Sequence, residues 1–228
     1  MAQPGYLSPG ARKEKLRQRE YRPAAPRPKA RAPAYAELHA ASAFSFLNGA
    51  SLPEDLVQRA AALELPAVAL LDTNGVYGAP RFHQAAKQAG IKALVGAEVV
   101  LEEEGTEEGA ERRLALLVES RAGYKNLCKL LTAAARGRPK GQARTSWETL
   151  AEHAEGLRCL TGGDEGPLAR ALEREGMDAA RRLLARLKAT FSGRVHVELQ
   201  RHRLREEEHR NRAAIDLARG LRLPLLAT

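Results

Sequence analysis

Seven short apolar runs, set between stretches of helical periodicity, constrain this chain more than any other feature. The runs are Tyr35–His39, Ala67–Leu71, Ile91–Leu101, Leu114–Val118, Leu157–Leu160, Arg194–Leu199 and Leu223–Thr228. Each reads as a strand, the third longer than the rest and rich in Val and Leu. Between them, Leu56, Val57, Ala60 and Ala61 repeat at helical spacing, as do Phe82, Ala85, Ala86 and Ala89. Tyr124, Leu127, Cys128 and Leu131 mark a helix face, and so do Met177, Ala180, Leu183, Leu184 and Leu187. A last, long helix spans about 205–221. Strands that alternate mainly with helices predict a mostly parallel sheet covered by helices, open or closed as a barrel. Local signals agree: Ser51 with Glu54 and Thr145 with Glu148 read as capping boxes, Pro53 and Pro80 as first-turn residues, and Gly90 as a stop. The acidic stretch 102–110 and the basic stretch 136–144 read as loops. The final run has no helix after it, which predicts that the barrel is incomplete at its C-terminal end and that the chain is the front part of something longer.

Charge separates the first 34 residues from the rest. The chain has a formal net charge of +9. Residues 1–34 hold nine bases against two acids, Glu14 and Glu20, and six of the 12 prolines. The remaining chain is left with only +2. Such a segment buries too little apolar surface to offset its ordering entropy, so it reads as a disordered basic arm preceding a domain at 35–228. Arg12, Lys13, Lys15 and Arg17 could touch phosphate backbones, as could Arg136, Arg138 and Lys140 of the basic loop; a solvated tail and a solvated loop are the plainer readings. No apolar run reaches the roughly 18–20 residues of a membrane span. Cys128 and Cys159 are single and far apart, which excludes a disulfide framework or a CxxC site and fits a reducing, cytoplasmic setting.

In a parallel α/β sheet, functional groups gather at the carboxyl ends of strands. His39 ends the first run, Asp72 follows the second, and Glu98 lies late in the third. Together they form a donor set suited to divalent cations, and two such ions could activate water against a phosphate ester. A strand-end His is more often simply hydrogen-bonded, and an Asp before a turn more often caps it. Thr161-Gly-Gly-Asp164 could cradle a phosphate but reads first as a tight turn, and His202 and His209 read as part of a solvated helix start. The aromatic residues are not interleaved with bases as in a single-strand-binding platform.

The segments around these residues carry a resemblance. They are Tyr35-Ala-Glu-Leu-His-Ala-Ala-Ser42, Phe44-Ser-Phe-Leu-Asn-Gly-Ala-Ser51, Leu70-Leu-Asp-Thr-Asn-Gly-Val-Tyr-Gly78 and Val95-Gly-Ala-Glu98. Further on come Leu114-Ala-Leu-Leu-Val118, Gly123-Tyr-Lys-Asn-Leu127, Leu160-Thr-Gly-Gly163, Val197-Glu-Leu-Gln-Arg-His202 and Leu223-Pro-Leu-Leu-Ala-Thr228. In this order they resemble the polymerase and histidinol phosphatase (PHP) domain at the N-terminus of bacterial C-family DNA polymerases, leaning toward the error-prone branch. The resemblance implies a distorted seven-stranded β/α barrel and a metal site using Mn²⁺, Mg²⁺ or Zn²⁺. It also implies a parent polymerase whose catalytic carboxylates lie in a later palm domain. DNA and the other polymerase domains or replication and repair subunits would be the partners, with no membrane.

Carried over residue by residue, the family pattern is broken here. His39 is kept, but Ala41 stands where a second His belongs, Asn48 where an Asp belongs, Thr73 where a His follows Asp72, and Arg113 where another His is expected. His39, Asp72 and Glu98 are what remains, and Arg113 would repel a cation or pair with Asp72 or Glu98 in its stead. The expectation is a degenerate metal site with a structural role; the alternative is a stand-alone metal-dependent phosphoesterase or 3′–5′ exonuclease.

Overall fold

The structure is a computed structural model and describes residues 35–102 and 112–228. The basic arm, with Arg12, Lys13, Lys15 and Arg17, and nearly all of the acidic stretch lie outside the described residues. The elements run β1 (Glu37–Ala40), α1 (Pro53–Ala62), β2 (Ala67–Thr73), α2 (Ala79–Ala89), β3 (Lys92–Leu101), β4 (Arg112–Val118), α3 (Arg121–Ala135), α4 (Trp147–Glu152), β5 (Leu157–Leu160), α5 (Pro167–Arg174), α6 (Met177–Thr190), β6 (Val195–Leu199), α7 (Arg205–Leu221) and β7 (Leu225–Ala227). All seven expected strands are present, and they form one sheet in sequence order.

The sheet is mixed. Pairings β1–β2, β2–β3, β5–β6 and β6–β7 are parallel, whereas β3–β4 and β4–β5 are antiparallel. A parallel return needs a crossover, usually a helix. β4 comes back antiparallel to β3, a return that requires no crossover. The sheet also curls. Leu38 of β1 and Leu226 of β7 pack against the same buried cluster, formed by Ala69, Leu71, Ala115, Leu117 and Leu160. That cluster is the inner face. The outer face carries the helices: Val68 and Leu70 pack with Val57, Ala60, Phe82 and Ala86 of α1 and α2. Farther round, Val99, Leu116, Cys159 and Val197 pack with α3 to α7.

Several local expectations are corrected. The cap of α1 is Leu52, whose N–H donates to the Asp55 carboxylate at 3.2 Å, in place of a Ser51–Glu54 box. Ser146, not Thr145, caps α4, accepting from Thr149 N–H at 3.2 Å. Thr145 is instead buried and bridged to Leu101. Helix α3 buries Gly123, Leu127, Leu130 and Ala134, and leaves Tyr124 exposed. The cause is Gly123: a Cβ there would lie 1.9 Å from the Gly156 carbonyl oxygen, so the first turn of α3 rests directly on the backbone preceding β5. That contact rotates the buried stripe by one residue.

This backbone contact gives a direct test. Gly123→Ala should cost about 1–3 kcal/mol through the forced shift. Gly123 is in ordinary helical backbone, where Ala is otherwise favoured by up to about 1 kcal/mol. A urea-unfolding midpoint equal to or above that of the parent would show that the packing has room to give.

Candidate functional site

Strand alternation decides which sequence candidates meet. Side chains of β2 point alternately inward and outward. Val68 and Leu70 face α1 and α2, so Asp72 faces that side too, while Thr73 faces inward. Asp72 is almost fully buried, and its carboxylate is cradled by the loop after β1. The Ser42 N–H donates at 2.8 Å, the Ser42 hydroxyl at 2.9 and 3.0 Å, and the Ser45 hydroxyl at 2.8 Å. Ser45 Oγ in turn accepts from Thr73 N–H at 3.0 Å. Asp72 therefore clamps Ser42 and Ser45 of the loop after β1 and makes no hydrogen bond to His39 or Glu98 among the described residues.

His39 reaches the inner side through an irregularity. Glu37 pairs with Val68 and Ala40 with Leu70, so three steps of β1 match two of β2. A bulge of this kind re-aims a side chain that plain alternation would send to the other face. The His39 ring then lies between two carboxylates, with Nδ1 2.7 Å from Glu198 Oε1 and Nε2 3.1 Å from Glu98 Oε1. Burial alone would lower the imidazole pKa, but the bonds to Glu198 and Glu98 outweigh it, and the pKa is raised to about 10. The same contacts hold the Glu198 carboxyl below its usual range despite its burial. The ring is thus an imidazolium that donates from both nitrogens.

The network continues outward. Glu198 Oε1 also accepts from Thr228 Oγ1 at 2.7 Å and Gln200 Nε2 at 3.2 Å. Thr73 Oγ1 donates to Glu98 Oε2 at 3.2 Å. A cavity of about 320 Å³ opens beside it, lined by His39, Ala41, Asn48, Glu98, Arg113 and Gln200 with the turn 163–166. The substituted positions Ala41, Asn48 and Arg113 thus line one cavity with His39 and Glu98, and Thr73 joins them through Glu98. Arg113 pairs with Glu165 at 2.9 Å, where the sequence suggested Asp72 or Glu98. The Thr161–Asp164 segment is a tight turn, with Gly162 at φ +77° and its missing Cβ leaving room for the Arg113 carbonyl oxygen.

Glu198 is the residue that sequence reading missed as a site member. Its only signal was its place in the Val197-Glu-Leu segment, since its partner is 159 positions away.

Glu98 and Glu198 sit on opposite edges of the imidazole, whose nitrogens are both occupied, so three donors do not converge on one point. Among the described residues, the group close enough to share an ion is instead Asp164, His202 and Glu207, with donor atoms within 4.8 Å of one another. There Glu207 already accepts from the backbone N–H groups of His202 and Leu204, as a helix cap does, and Arg210 contacts Asp164. His209 is not part of that group. Of the basic loop, Arg138 pairs with Glu102 at 2.9 Å, and Arg136 and Lys140 are exposed.

Comparison with known proteins agrees with this architecture. The PHP domain model matches residues 37–202. An error-prone DNA polymerase from Anaeromyxobacter sp. (strain K) is 41% identical over 206 residues, covering 86% of this chain and 17% of that protein. One from Mycolicibacterium paratuberculosis is 42% identical over 200 residues, covering 85% of this chain and 18% of that protein. The chain thus spans under a fifth of the length of these relatives. Among solved structures, an amidohydrolase from Chromobacterium violaceum, with bound sulfate and no metal, superposes with a TM-score of 0.54 at 16% identity, covering 84% of this chain and 85% of that one. With the family model matched across most of the described sheet, this chain belongs to the PHP domain family.

Proposed function

We propose that this chain is the N-terminal PHP domain of an error-prone C-family DNA polymerase, with a degenerate metal site and a structural role. In this reading it supports, in the cytoplasm, the domains that synthesise DNA in replication and in repair of damage. Its partners are those domains and, through them, DNA. Homology of 36–42% to error-prone DNA polymerases supports the parent. The observation that carries the degenerate site is the protonated His39 held between Glu98 and Glu198: the positive charge that the carboxylates need is supplied by the side chain itself. With Ala41, Asn48, Thr73 and Arg113 around the cavity, charge and geometry both favour scaffolding over hydrolysis.

The rival reading, a stand-alone phosphoesterase or 3′–5′ exonuclease, needs Mn²⁺, Mg²⁺ or Zn²⁺ bound through His39, Asp72 and Glu98. Dialysis of the purified protein against each ion, followed by elemental analysis, separates the two. Scaffolding predicts well under one ion per chain at this site and no change on Glu98→Gln. Two tightly held ions, lost on Glu98→Gln, would sink it.

Asp72 offers a second test, because it is here a structural clamp. Asp72→Asn removes the charge from several hydrogen bonds and should lower stability by about 1.5–3 kcal/mol, read as a shift in the urea midpoint. It should leave metal content unchanged; a fall in bound metal with unaltered stability would make Asp72 a ligand after all.

A further inference from the structure

A second cavity, of about 590 Å³, lies between the loop after β2 and the outer side of α3. Its walls are the segment 74–77 and, from α3 and its end, Cys128, Leu131, Thr132, Ala135 and Arg136. No carboxylate lines it. The volume is that of a small-ligand site, and the walls are mainly apolar with a few polar groups at the rim.

Two side chains give it chemical character. Tyr77 is 72% exposed. A Cβ on Gly75 would lie 2.3 Å from the ring, so the ring lies against Gly75 and is otherwise largely open to solvent. Arg136, at the end of α3, is exposed and makes no ion pair among the described residues. Asn74, which adopts φ +51°, ties the loop after β2 to its neighbours. Its amide donates to the Ala143 carbonyl at 3.1 Å, and its oxygen accepts from Val100 N–H at 3.2 Å. The loop carrying Tyr77 is thereby fixed against the basic loop that begins at Arg136.

We infer that this groove binds an unpaired nucleobase together with its phosphate, the base stacking on Tyr77 and the phosphate meeting Arg136. A flat ring over an apolar floor, a cation at the rim and no acid in the lining complement a nucleotide. An apolar peptide would leave Arg136 unused. Sequence alone separates Tyr77 from every cluster of bases, so no interleaving is visible there; the fold supplies the pairing. The site is distinct from the His39–Glu98 cavity and does not depend on whether that cavity holds metal.

The test uses the whole chain, fluorescein-labelled (dT)₁₂ for anisotropy, dTMP for calorimetry, and a 5-iodouracil oligonucleotide for photo-crosslinking. Tyr77→Ala should weaken (dT)₁₂ binding by about tenfold or more. Arg136→Gln should reduce the salt slope by about 0.7, the value for one phosphate contact with a single strand. The crosslink should map to Tyr77. Saturable dTMP binding that Tyr77→Ala abolishes assigns the groove to a free nucleotide, and binding of (dT)₁₂ alone assigns it to a strand. Affinity unchanged within twofold in Tyr77→Ala, or crosslinks confined to residues 1–34, overturns the proposal.

Discussion

The contact on which this architecture turns is the His39 imidazolium held between Glu98 and Glu198. It joins β1, β3 and β6, which are not neighbours in the sheet, and so fixes how far the sheet curls. Three ionisable groups taken out of water are costly unless each is paired and hydrogen-bonded. Here both ring nitrogens donate and Glu198 Oε1 also receives Thr228 and Gln200, which offsets part of the cost, while Glu198 Oε2 stays buried without a hydrogen-bond partner. Removing one member would strand the others, and that is the sense in which the network locks the curl.

The two faces of the sheet divide the labour. The outer face is apolar against helices and packs as two clusters, one around Phe82 of α2 and one reaching Leu184 and Leu187 of α6. The inner face is apolar at its middle, with Leu71 and Leu117, and polar where Thr73, Glu98 and Glu198 emerge. A cavity at the polar end, and a separate groove behind Tyr77, both follow from loops that leave the carboxyl ends of β1, β2 and β5. The glycine at 162 is needed where the Arg113 carbonyl comes too near for a side chain.

Much of this was legible in the sequence, because local pattern carries it. Seven strands, the helices between them and the kinship of their motifs follow from apolar runs and short phrases. What escaped was set by tertiary geometry. Strand direction between β3 and β4 depends on what the connection can span. The bulge that turns His39 inward leaves no mark in the residues Glu37–Ala40. Asp72 read as a retained ligand and Thr73 as a substituted one, yet consecutive residues of a strand face opposite ways, and it is Thr73 that bonds to Glu98. Glu198 could not be matched to His39 from 159 positions away, nor Tyr77 to Arg136 across two intervening strands.

The most direct measurement is a double-mutant cycle on His39 and Glu198, with His39→Gln and Glu198→Gln made singly and together and unfolded in urea. A clamp of this kind predicts a coupling energy of at least about 1.5 kcal/mol, within the range found for contacting charged partners. Additive effects, with coupling indistinguishable from zero, would mean that the imidazolium does not hold the sheet and that the pocket must be explained another way.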